Sequence, residues 1–155
     1  MQTAWKLNSG EAVVNRHRSH LHAEVFPHLP EVFGRIESGR RGFFTATVDL
    51  GRIVGVKTRV ETCESDEIVF AQRVGRQGLT RFVKNRQPEP CSSITVVLKK
   101  GDRGEEYVLI SAWVGTQAEP EPWDQKATVQ SGVFWSKSAL IFGSEPIVQG
   151  TLTTQ

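Results

Sequence analysis

The chain has 155 residues, 38% of them hydrophobic and 23% charged, which suits a folded core and excludes a disordered or fibrous sequence. A net charge of +2 defines no partner class by itself, and two cysteines, Cys63 and Cys91, give no evidence for a disulfide scaffold and make no metal-ligand spacing. No run approaches ~18 apolar residues, and the start MQTAWKLNSGEAVV lacks the layout of an export signal, so a cytoplasmic protein with no membrane span is expected.

In chain order, residues 1–18 read as a polar arm, residues 19–143 as one domain, and residues 144–155 as a tail. The segment SHLHAEVFPHLPEVFGRIESG predicts helix. Pro27 and Pro30 interrupt it, and Leu29, Val32, Phe33 and Ile36 make an apolar stripe at i, i+3, i+4 and i+7. From Gly42 the period changes to two. Strands are predicted at Phe43 to Val48, Ile53 to Val60, Ile68 to Val74 and Leu79 to Lys84. After the break QPEPC, Ile94 to Leu98 and Tyr107 to Val114 predict a hairpin, with Tyr107, Leu109, Ser111 and Trp113 on one face and Trp113 in the core. TQAEPEPWD reads as an acidic loop pinned to the body by Trp123. SGVFWSKSALIFG reads as a short turn or helix leading to a last strand from Ala139 to Phe142. The sum is an α+β fold with N-terminal helices packed on a curved, mainly antiparallel β-sheet.

Positive charge clusters where the strands are strongest. Between Ala71 and Arg103, eight basic residues face two acidic ones, a local +6. A basic sheet face predicts an acidic or phosphate-bearing partner, with Arg73, Arg76, Thr80, Lys84 and Arg86 as its contacts. Arg81 and Lys84 differ in strand parity and share a face only across a bulge. Trp135, beside Ser136, Lys137 and Ser138, offers a stacking surface for a base. All four histidines lie between His17 and His28, at spacings that match no metal site, so no metal and no cofactor are assigned. General acid-base cleavage of RNA needs a base, an acid and a cation for the developing charge. His20 or His22, Arg81, and Ser138 or Thr80 are the residue types for those roles.

This order of parts resembles the broad superfamily of small metal-independent RNases and toxin domains that includes barnase and the RelE-like, colicin-type and EndoU-like nucleases. The likeness is carried by a histidine in the N-terminal segment, the strand LTRFVKNR and the late entry SGVFWSKSAL. In addition, DEIVFAQRVGRQGLTRFVKNR, EYVLISAWVG and EPWD are similar to segments of uncharacterised bacterial members. The resemblance implies a metal-independent endoribonuclease acting by attack of the 2′-hydroxyl on the phosphate, with RNA as partner and a protein inhibitor as a further one. It implies His20 or His22 as the acid or base, Arg81 as the cation beside the phosphate and Ser138 as a polar site residue, where related domains often carry histidine. The alternative is a non-catalytic RNA-binding or protein-interaction domain on the same scaffold.

Overall fold

The computed structural model describes residues 3–15, 23–37, 42–101 and 106–154. The described residues are mostly β, with 42% strand in three sheets and 14% helical, the latter in two short α-helices and a 3₁₀ segment. This corrects the α+β expectation of N-terminal helices packed on a sheet. What forms there is a 3₁₀ segment, Ala23–His28, followed by α1, Leu29–Phe33. Pro27 lies inside the 3₁₀ segment and Pro30 in the first turn of α1, so neither supplies a backbone donor and the run stays short. The apolar stripe is nevertheless buried: Leu29, Val32 and Phe33 are fully covered and Ile36 nearly so.

Two compact units make up the chain, residues 1–56 with 90–117 and residues 57–89 with 118–155. The first is built on a five-stranded sheet of order β1-β2-β10-β9-β3, where β1 is Thr3–Lys6, β2 Ala12–Asn15, β3 Phe43–Asp49, β9 Ser93–Lys100 and β10 Glu106–Val114. All pairs are antiparallel except β2 with β10. Phe44, Leu98, Tyr107 and Leu109 pack with the α1 stripe into one core. Phe44 and Tyr107 meet edge to face at 5.6 Å. Each such aliphatic or aromatic side chain, fully covered, contributes about 1.5–3 kcal/mol.

The register of β10 shifts between Leu109 and Ser111, leaving Ile110 as an extra residue. Beyond the bulge the inward positions become Ala112 and Val114, both buried. Trp113 therefore turns to the other face, where it is half-buried and donates its indole N–H to the Thr116 carbonyl, rather than entering the core.

The second unit holds a five-stranded sheet of order β12-β6-β7-β11-β5, where β5 is Arg59–Glu61, β6 Ile68–Gln72, β7 Leu79–Val83, β11 Ser138–Ile141 and β12 Thr153–Thr154. β6 and β7 form a hairpin, and β11 runs parallel to β7. Alternate residues build two cores. Val69, Ala71, Phe82 and Leu140 pack with Trp135, whereas Val60, Val83, Ala139 and Ile141 pack together. The helix α2, Val129–Ser136, begins at a Thr128 capping box and delivers Trp135 to the first of these cores. A third sheet pairs β4, Gly55–Lys57, with β8, Glu89–Cys91. Among the described residues no helix is long and apolar enough to cross a membrane.

In the second unit Arg86 holds two carboxylates, Asp66 at 3.0 Å and Glu89 at 2.9 Å. The backbone N–H of Cys63, and then Arg86, hold the Asp66 carboxyl below its ordinary value of 3.8. Arg86, and then Lys57, lower that of Glu89 from 4.5. Carboxylates with lowered folded values stabilise the fold above their ordinary values, and that contribution is lost as pH falls through the lowered ones. The thermal midpoint is thus expected to drop as pH falls below the ordinary carboxylate range, with a shallower acid limb in Asp66→Asn. An unchanged limb in that variant would remove Asp66 from the account.

Candidate ligand cleft in the second unit

The second unit contains a cleft of about 630 Å³. One part of its lining comes from the β6–β7 hairpin, where Phe70 is the cross-strand partner of Arg81 and Leu79 lies two residues before it. The remainder comes from the loop Glu121 to Trp123 and from α2, chiefly Trp135. Three aromatic rings, one guanidinium and one carboxylate are therefore in a single concavity.

Each polar group in that lining is held differently. Arg81 donates from Nη1 to the Thr62 hydroxyl and to the Ser138 carbonyl, each at 2.9 Å. Among the described residues no carboxylate makes a direct ion pair with it, and Nη2 and Nε donate no hydrogen bond there. Burial holds its pKa below the ordinary arginine value, against the opposing influence of the Asp66 carboxylate nearby, so the guanidinium is partly stripped of water while fixed by two neutral acceptors. Trp135 is 6% exposed and donates its indole N–H to the Glu119 carbonyl, which fixes the ring plane. Trp123 differs: its Nε1 is buried with no acceptor among the described residues. A buried donor in that state costs about 1–3 kcal/mol.

Trp123 is placed by a glycine. A Cβ at Gly78 would stand 2.1 Å from Trp123 Cγ, so the indole lies directly against the backbone of the β6–β7 turn. Gly78→Ala is expected to displace the ring, to cost about 1–3 kcal/mol in stability and to open the cleft. Denaturant unfolding together with near-UV circular dichroism checks this, and a native spectrum at native stability would contradict it.

The predicted contact residues are all in this unit but do not form one basic face. Arg73 donates from Nη2 to Glu121, from Nη1 to both oxygens of Glu145, and from Nε to the hydroxyl of Thr80, itself fully buried. Arg86 is committed to Asp66 and Glu89. Arg76 and Lys84 are exposed, Lys84 lying 5.9 Å from the centre of the Phe142 ring. Ser138 is 6% exposed and reaches Arg81 through its backbone. His20 and His22 lie outside the described residues. Phe70 and Trp123 belong to the cleft without a local sequence signal for it; the only hint is Gly78 in the turn.

No group of three or more His, Cys, Asp or Glu suited to a metal ion occurs among the described residues. Comparison with protein-family models, with curated proteins and with solved structures gives no match to this chain.

Proposed function

We propose that the second unit is a single-stranded RNA-binding module, in which a base enters the aromatic cleft and the adjoining phosphate meets Arg81. The observation that carries this reading is the state of Arg81. Its guanidinium is fixed by Thr62 and Ser138, unpaired with any described carboxylate, and set in a concavity otherwise lined mainly by rings. Such a cation favours an anion, and aromatic walls favour a planar group; a nucleotide supplies both. A strand has the further advantage over a duplex that its bases are free to leave the stack.

The endoribonuclease reading adds an acid and a base to the same site. The lining of the cleft holds no histidine, and its one carboxylate, Glu121, is engaged by Arg73. Cleavage therefore rests on His20 and His22. The test is titration of the whole chain with a short unstructured RNA in EDTA, reading tryptophan fluorescence and strand integrity together. Salt-sensitive binding with intact RNA is the expected result. EDTA-resistant cleavage that disappears in His20→Ala/His22→Ala would make the module a nuclease. Absence of binding at low salt would overturn the proposal.

A further inference from the structure

The first unit carries a separate feature, the outer edge of β3. This strand ends the order β1-β2-β10-β9-β3, and no described strand pairs with its far side. The hydrogen bonds at its two ends fix which residues point outward. Lys100 N–H donates to the Gly42 carbonyl and Leu50 N–H to the Ser92 carbonyl, both extending the β3–β9 register. Even-numbered residues thus bond to β9, and the backbone groups of Phe43, Thr45, Thr47 and Asp49 face away from it. At Asp49 the carbonyl already accepts from Arg35 Nη1 at 3.1 Å. Phe43, Thr45 and Thr47 remain, evenly spaced about Thr45.

The edge lacks the usual guards against pairing. The strand sequence FFTATVD contains no lysine and no proline, its register with β9 is unbroken, and its one charge, Asp49, stands at the end. Phe43 is 62% exposed. Beside the strand is a space of about 490 Å³ lined by Phe44 to Val48 and by Arg35 to Glu37.

We infer that two copies of the chain pair through this edge, β3 against β3 antiparallel about a two-fold axis at Thr45. The outward residues are self-complementary in this register. Thr45 faces Thr45 of the other copy, Phe43 faces Thr47, and each of these pairs exchanges two backbone hydrogen bonds. Aromatic–threonine and threonine–threonine neighbours are favourable cross-strand pairs. The two Asp49 carboxylates lie beyond the paired residues at opposite ends, and the two Lys99 ammoniums, level with Phe43 and each 5.2 Å from the centre of its own Phe43 ring, are likewise at opposite ends. Like charges are thereby separated, and two five-stranded sheets become one. This isologous arrangement closes on itself and leaves no further β3 edge for growth.

Sedimentation of the full chain tests the inference, alongside Thr45→Lys, which sets two ammoniums opposite each other, and Thr45→Pro, which deletes the central outward donor. The expected result is a dimer at tens of micromolar whose dissociation constant rises at least tenfold in either variant, with unchanged circular dichroism. Amide exchange supplies a check that needs no variant. Protection of the amides of Phe43, Thr45 and Thr47 should rise with protein concentration, while Phe44, Ala46 and Val48 stay protected throughout. A monomer at every concentration overturns the inference. So does a dimer that neither variant weakens, or a monomer whose β3 edge instead takes up an extended peptide.

Discussion

Trp123→Ala is expected to weaken binding of short single-stranded RNA by about five- to 150-fold, the range for loss of one base–aromatic stacking contact. The argument starts from the indole's two special circumstances. Its side chain is held directly against the backbone of Gly78, so little conformational freedom remains to be lost when a base stacks on it. Its Nε1 is buried and finds no acceptor among the described residues, so the indole meets a ligand through its ring and not through its N–H. Arg81→Ala should weaken the same RNA by a comparable factor but through a different term. Removing one phosphate contact lowers the slope of log K against log salt by about 0.7, whereas removing a stacking surface leaves that slope unchanged. The two variants thus separate the base-binding and phosphate-binding halves of the proposal. Were both to bind RNA as the wild type does, with native circular dichroism, the cleft would not be the RNA site. A change in slope for Trp123→Ala would instead place that residue against the backbone of the strand.

The strands of this fold are legible in the sequence because most are period-two runs bounded by turn residues. Phe43 to Val48, Leu79 to Val83 and Ala139 to Ile141 are all strands in the structure. The helical expectation fails where the same stripe of apolar residues serves a short helix and the chain after it. Leu29, Val32, Phe33 and Ile36 reveal burial, and burial alone does not fix helix length when two prolines interrupt the segment. The strands β1 and β2 have no strong local signal. β2 is held in part by a parallel pairing of Ala12 to Val14 with Glu106 to Val108, far away in sequence. The bulge at Ile110 is likewise invisible to alternation, since Tyr107 to Val114 is apolar on both parities. Charge has the same limitation as burial. Counting residues from Ala71 to Arg103 registers the arginines but not the carboxylates that meet Arg73, which come from Glu121 and Glu145. Arg81 remains distinct because its partners, the Thr62 hydroxyl and the Ser138 carbonyl, are neutral. Only the tertiary structure distinguishes it from its neighbours.

Arg73→Ala should cause the largest loss of stability among the charged residues of the second unit, about 3–5 kcal/mol. The side chain is 15% exposed and connects three groups: Glu121 at 2.5 Å, Glu145 at 3.1 Å and the Thr80 hydroxyl at 3.2 Å. Glu121 is only 6% exposed and Thr80 fully buried, so truncation strands a carboxylate and a hydroxyl away from water. Glu145, at 39% exposed, is able to rehydrate and contributes less to the penalty. Arg73→Lys should recover only part of the loss, because one ammonium cannot reproduce a planar fork that reaches three acceptors in different directions. The double variant Arg73→Ala/Glu121→Gln should be more stable than Arg73→Ala, since a neutral amide costs less to bury than an unpaired carboxylate. Denaturant unfolding of the wild type, Arg73→Ala, Glu121→Gln and the double variant measures this coupling, and strict additivity of the two substitutions would show that the pair does not act as a unit. RNA binding separates this role from direct contact. Arg73 fixes the loop that carries Glu121 and Trp123, so its removal should weaken RNA binding through Trp123 while leaving the salt slope intact. A reduced slope would mean that Arg73, despite its two carboxylates, meets a phosphate itself.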